Sequence, residues 1–272
     1  MPESSEGTGS VKNLWALDDR GALVTGAGQG IGRQIALHLA VHGGAIVIVN
    51  DYSLERAQTV ADEIEAAGGR ALAIRADVTD LVAVKSMVET VADGHGPVNI
   101  LVNNAGNAGA DPDPDARKPF WETGPAAWGS YLKVNLYGVI NCTSACVPQM
   151  IARRSGRIIT IISDAGRIGE TGPEIYSGAK VGAAGFTRAV ARSLGRHNIT
   201  ANCIAIAATA TPAIEYRLTD PDHRKKMLAK YIIRRTGEPV DVANMALFLA
   251  SGASSWITGQ TYPVDGGFSL AL

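Results

Sequence analysis

Ala22-Leu-Val-Thr25 runs directly into Gly26-Ala-Gly-Gln-Gly-Ile-Gly32. The first four residues are apolar or β-branched, which predicts a short buried strand. The glycines predict a tight turn, and the Ile- and Ala-bearing stretch over residues 30–42 predicts a helix. Strand, glycine-rich turn and helix in that order make a cradle for phosphate. Gly26 permits the turn, Gly30 lets the backbone approach a pyrophosphate, and Gly32 lets helix and strand pack closely. Backbone N–H groups and the positive helix end would meet the anion. Gly26, Gln29, Gly30, Ile31 and Gly32 are therefore the first cofactor-contact candidates.

The same rhythm continues outward. Short apolar runs at residues 45–50, 71–75, 100–102, 158–162, 199–204 and 260–264 are bounded by Gly, Asn or Asp and predict strands. Between them, residues 53–67, 81–93, 125–152, 173–195 and 239–251 predict helices, with Ser53 as an N-cap and Gly68 as a C-cap. Continuous apolarity in the strands implies burial on both faces, as in a parallel sheet. The expected fold is α/β: one doubly wound parallel sheet of Rossmann type with helices on both faces. Residues 1–19 read as a flexible extension. Residues 20–272 read as one dinucleotide-binding catalytic domain, with a substrate lid around 207–235. Two stretches break the alternation, the Asp/Pro-rich loop 107–124 and the charged segment 211–235. Both begin at carboxyl ends of strands, where such sheets bind ligands.

Composition narrows the classes. The chain has 272 residues and 28.3 kDa, with 25 Lys+Arg against 26 Asp+Glu and a formal net charge of -1. No basic excess points to nucleic acid or an anionic membrane as partner. A hydrophobic content of 46% can fill a sizeable core. Cys142, Cys146 and Cys203 form no disulfide framework, and no His/Cys pattern has zinc-ligand spacing, so no metal is expected. The acidic, Ser/Gly-rich start has no apolar core of a secretory signal. No apolar run reaches the membrane-spanning length of about 18 residues. A soluble protein of a reducing compartment, the cytoplasm, is expected. His38, His42, His95 and His197 have no partner pattern.

The chemistry resides in a second constellation. Asp51 ends the second predicted strand about 20 residues after the glycine turn, where a carboxylate accepts from ribose hydroxyls and repels the extra phosphate of NADP. With no Arg or Lys beside it before Arg56, NAD is the expected cofactor. Tyr176-Ser-Gly-Ala-Lys180 places a phenol and an ammonium on one helix face. A free phenol, with a pKa of about 10, is a poor base near neutral pH, and a nearby ammonium favours the phenolate. Ser163 ends a strand and can donate to a carbonyl or alkoxide oxygen. Tyr, Lys and a hydroxyl around a nicotinamide make a proton relay matched to hydride transfer.

With these residues the chain resembles the short-chain dehydrogenase/reductases from about residue 21 to 268. The likeness rests on Thr25–Gly32, Asp77-Val78, Asn103-Asn-Ala-Gly106, Asn135, Ser163, Tyr176 with Lys180, and Ile257-Thr-Gly-Gln followed by Val264-Asp-Gly-Gly267. The resemblance implies Tyr176 as acid/base and Lys180 as nicotinamide-ribose ligand. It implies Ser163 as substrate positioner and Asn135 as holder of a water that links Lys180 to solvent. Asp77 and Val78 would flank adenine; Asn104, Ala105 and Gly106 would line the cofactor floor. Ile206, Thr209 and Thr211 would meet the nicotinamide end. There the family usually carries Pro-Gly, and this chain has Ile206-Ala207, so the turn must avoid glycine-only angles. The loop 107–124 is also longer than usual.

Implied activity is the interconversion of a secondary alcohol and a ketone with NAD. Ser163-Asp-Ala-Gly-Arg167 resembles members acting on hydroxyacyl-CoA or alicyclic alcohols. Arg217, His223, Arg224, Lys225, Lys226 and Lys230 could meet CoA phosphates or form a solvated face. The rival activities are an NADPH-dependent ketoreductase of 3-oxoacyl type and a non-catalytic dinucleotide sensor. The resemblance also implies a homotetramer, built through the helices at 125–152 and 173–195 and through residues 260–272.

Overall fold

The computed structural model describes residues 13–18, 20–109, 111–212, 214 and 219–270. Most of the expected extension 1–19, Arg217 and the last two residues lie outside the described residues, as does the side chain of His223.

Seven strands form one sheet: β1 Gly21–Thr25, β2 Ile46–Asp51, β3 Arg70–Arg75, β4 Val98–Asn103, β5 Gly156–Ser163, β6 Ile199–Ile206 and β7 Thr261–Val264. Their order is β3-β2-β1-β4-β5-β6-β7, and every pairing is parallel. The helices are α1 Gly30–Leu37, α2 Leu54–Ala66, α3 Leu81–His95, α4 Pro125–Leu132, α5 Gly138–Arg153, α6 Asp164–Ile168, α7 Glu174–Leu194, α8 Pro221–Leu228 and α9 Pro239–Ala250. The expected doubly wound sheet is thus the observed one. Side-chain alternation along a strand sends successive residues to opposite faces. Val47 and Val49 pack with α1, α2 and α9 through Ile35, Ile64 and Leu247. Ile48, between them, packs with α3 and α5 through Val84, Val88 and Met150.

Several boundaries moved. The single helix expected over 125–152 is two, joined by a wider π turn at Lys133–Tyr137 that carries Asn135. The helix expected over 30–42 likewise ends in a π turn, His38–His42. Such turns insert a residue into the helical ladder without breaking the apolar face, and they cluster at functional positions. Ser53 caps α2, and Gly68 follows it at φ +83°. The packed body also begins before Arg20. Leu17 is fully buried, and its N–H donates to Gly43 O at 2.7 Å.

The progress of strands reverses between β1 and β4. The loops after these two strands diverge to opposite sides and leave a crevice at their carboxyl ends.

Candidate active site

A cleft of about 360 Å³ occupies that crevice. Gly26, Gln29, Gly30, Ile31 and Gly32 all line it. Gly26 and Gly30 take φ +60° and +58°, the left-handed region that a side chain resists. A Cβ on Gly32 would stand 2.4 Å from Gly26 O, so this glycine serves packing. Gln29 precedes α1 without a side-chain cap, which leaves the first N–H groups of the helix for an anion. Asn104 fastens the opposite wall. Its Nδ2 donates to Thr25 O at 2.9 Å and Gly26 O at 3.0 Å. Thr25 Oγ1 accepts from Asn104 N and Ala105 N. Ala105 and Gly106 continue along the cleft.

At the adenosine-facing end, Asp51 is buried and heavily engaged. Its Oδ2 accepts from Gly28 N at 3.1 Å, and its Oδ1 accepts from Ser53 N at 3.0 Å. Arg56 also donates to Oδ1, its guanidinium lying 4.5 Å over the Tyr52 ring. The hydrogen bond to Asp51 chiefly holds the Arg56 pKa above its ordinary value. The sequence offered Arg56 only as the next base along the chain; the first turn of α2 carries it back onto Asp51. Tyr52 and Arg56 both line the cleft and were not among the expected residues. Asp77 and Val78 line it as well. Asn141 Nδ2 fixes this turn by donating to Val78 O at 2.9 Å.

At the far end, Ser163, Tyr176 and Lys180 come together. Ser163 caps α6, its Oγ accepting from Ala165 N at 3.2 Å. The Lys180 ammonium is buried, donates to Ile161 O at 2.9 Å and lies 5.7 Å from the Tyr176 ring centroid. Burial lowers its pKa to about 8. The expected lowering of the phenol is not what the geometry gives. Burial pushes the Tyr176 phenol up, and the hydrogen bond with Ser163 offsets this only in part. Lys180 donates to the Ile161 carbonyl. Tyr131, a residue the sequence did not single out, packs edge-on against Tyr176 at 6.2 Å.

Asn135 is the one expected residue that does not line the cleft. It lies fully buried behind it, with Nδ2 donating to Asn107 O at 2.7 Å and Tyr131 O at 2.8 Å. Its Oδ1 has no hydrogen-bond partner. A Cβ on Gly106 would meet this Oδ1 at 3.2 Å and Lys180 Nζ at 3.3 Å, so both atoms converge on one point. An orphaned acceptor there fits a bridging water.

Ile206, Ala207, Thr209 and Thr211 close the cleft beyond β6. Ala207 is not among the positive-φ residues, so the turn does avoid glycine-only angles. Thr209 is buried and its Oγ1 donates to Ala207 O at 3.1 Å. Among the described residues no group of His, Cys, Asp or Glu could hold a metal. The glycine cradle, the carboxylate at the end of β2 and the buried ammonium together fit a dinucleotide.

A parallel sheet with this strand order, carrying that cleft at its switch point, defines a Rossmann-type nucleotide-dependent oxidoreductase. A family model described as enoyl-(acyl carrier protein) reductase matches residues 26–269. A (2S)-[(R)-hydroxy(phenyl)methyl]succinyl-CoA dehydrogenase subunit of Thauera aromatica is 41% identical over 93% of this chain and 98% of its own length. A 3-oxoacyl-[acyl-carrier-protein] reductase of Staphylococcus aureus is 38% identical over 92% of this chain and 98% of its own length. Among solved structures, a gluconate 5-dehydrogenase from Burkholderia cenocepacia in complex with NADP and tartrate superposes with a TM-score of 0.87. It is 32% identical and covers 95% of this chain and 98% of its own. A 7α-hydroxysteroid dehydrogenase complexed with NADH and 7-oxo glycochenodeoxycholic acid gives 0.85 at 36% identity, covering 93% and 96%. The chain belongs to the short-chain dehydrogenase/reductase family. It is an NAD(P)-dependent oxidoreductase acting on a small-molecule alcohol, ketone or oxoacyl substrate.

Proposed function

We propose that the protein interconverts a 3-oxoacyl and a 3-hydroxyacyl thioester, with Tyr176 carrying the proton. The observation that carries this reading is the convergence of Ser163, Tyr176 and the buried Lys180 at one end of the cleft. A phenol is protonated near neutral pH and burial raises its pKa further, so Tyr176 stands in the form that can donate to a ketone oxygen during reduction. When bound, the dinucleotide supplies or accepts the hydride. Ser163, beside Tyr176 in the cleft, holds the carbonyl oxygen; Lys180 holds the nicotinamide ribose; Asn135 anchors a water behind Lys180. The thioester part draws on the names of the two relatives, one a CoA-thioester dehydrogenase and one an acyl-carrier-protein thioester reductase. It draws also on Arg224, Lys225, Lys226 and Lys230, exposed on and just after α8, where a phosphate-bearing carrier would meet positive charge.

Two observations bear on the cofactor. The Asp51 carboxylate favours NAD, the expectation from sequence. Arg56, paired with it and lining the cleft, offers a cation to the additional phosphate of NADP. The Asp51–Arg56 charge pair admits both nucleotides. Asp51→Ala then shifts preference toward NADP and Arg56→Ala shifts it toward NAD. Steady-state rates with NADH and NADPH on acetoacetyl-CoA, an alicyclic ketone and a steroid ketone test cofactor and substrate together. Turnover of the carbocyclic ketones without any thioester activity would overturn the thioester reading. Three buried, free cysteines fit a reducing compartment such as the cytoplasm.

A further inference from the structure

The turn after β6 contains no proline and carries four cleft-lining residues, Ile206, Ala207, Ala208 and Thr209. Proline would fix one backbone angle there by covalent geometry. Ile206 and Ala207 impose no such covalent restriction, and the turn is held by hydrogen bonds instead. One flank is held by backbone pairing: Gly237 N donates to Ala208 O at 3.0 Å, and Ala210 N donates to Gly237 O at 2.8 Å. The other hold is a side chain from outside the cleft. Ala208 N donates to the phenol oxygen of Tyr231 at 3.1 Å.

Tyr231 is well placed for this. It is buried, it follows α8 at the exit of the segment bordering the cleft, and its ring stacks on Phe268 at 5.0 Å and 28°. Ile233 N donates to Gly266 O at 2.9 Å, which fastens the same stretch to the C-terminal segment. The phenol thus joins three elements at one backbone amide: the β6 turn, the exit of the lid segment and the tail after β7.

The geometry points to Tyr231 as a positioning residue that holds the proline-free turn after β6 and sets the nicotinamide end of the cleft. It touches no reacting atom and acts through the Ala208 amide. The assignment of that end of the cleft rests on the function proposed above; the hydrogen bond and its effect on the turn do not.

The test uses the full-length protein and has two arms. The first is hydrogen exchange of the unliganded protein in wild type and Tyr231→Phe, which removes the oxygen and keeps the stacked ring. The Ala208 amide should exchange about three- to tenfold faster, as expected for one lost hydrogen bond, while the Ala205 amide within β6 stays unchanged. Equal protection at Ala208, or equal loss at both amides, overturns the proposal. The second arm measures NADH and NADPH dissociation constants by fluorescence, and kcat, in a cycle with Ile206→Pro/Ala207→Gly. Tyr231→Phe should weaken dinucleotide binding about three- to tenfold in the native background and less than twofold in the Pro-Gly background. The same penalty in both backgrounds overturns the proposal. If the wild type turned over no thioester, the proposed function would fail while the exchange arm still decided the role of Tyr231.

Discussion

Tyr176 and Lys180 sit one helical turn apart, yet burial moves their proton affinities in opposite directions because it disfavours whichever form is charged. The phenol becomes a weaker acid and the ammonium a stronger one. Tyr176→Phe keeps the ring in place against Tyr131 and removes only the proton carrier. Turnover should fall about 10²- to 10⁴-fold, with dinucleotide affinity nearly unchanged in a fluorescence titration; near-wild-type rates would refute the relay. Lys180→Ala should lose turnover and affinity together. Lys180 also predicts a pH effect. Its ammonium holds a proton only up to about pH 8 in the folded protein, against an ordinary 10.5. Dinucleotide affinity should therefore weaken between pH 7 and 9 as the positive contact is lost, and a flat profile would remove Lys180 from the binding set. Over pH 8 to 10.5 the unfolded chain binds more protons than the folded one, so the share of stability owed to this lysine rises with pH. At this scale the sequence named Ser163, Tyr176, Lys180 and Asp51, because their chemistry is written in residue type and local spacing. It missed the Asp51–Arg56 contact because that depends on the turn where β2 gives way to α2, and Tyr231 because its bond to Ala208 appears only when separate segments fold together.

Among the elements, strands read to within two residues at each end, since continuous apolar runs between Gly, Asn and Asp leave little choice. Helices read well except where a π turn interrupts them. A single inserted residue at Lys133–Tyr137 leaves the apolar pattern nearly intact, so periodicity alone could not separate α4 from α5. The short α6 also escaped, although Ser163 is its N-cap. The clearest difference lies at the start of the chain. The sequence reads residues 1–19 as a flexible extension, yet Leu17 is fully buried. Its side chain fills the space beside Gly43, where an added Cβ would stand 2.6 Å from Leu17 Cδ1. Leu17→Ala should cost about 2–5 kcal/mol, the range for a buried leucine truncation. At about 2–4 °C per kcal/mol for a domain of comparable size, thermal unfolding should show a clear drop. A melting temperature within 1–2 °C of wild type, below that range, would return this segment to the extension.

For the whole molecule, the surface poses the remaining question. The small-residue helix α7 divides its faces: Ala179, Ala183 and Ala184 are buried, whereas Gly178 and Val181 are exposed. Tyr137, at the start of α5, is exposed too, and so are Ile232, Ile233 and Leu270 near the C-terminal tail. Close seating on its own sheet therefore explains one face of α7 and leaves the other unaccounted for. Exposed apolar residues on α7, at the start of α5 and near the C-terminal tail are what two perpendicular two-fold contacts would cover. Light scattering at micromolar concentration should thus give a mass near four times 28.3 kDa. Val181→Arg should reduce it to a dimer by placing like charges across the first axis, with Tyr176 chemistry measured in parallel. A stable 28.3 kDa monomer in the wild type would make the exposed face of α7 a feature of the single chain and leave the tail contact without a partner.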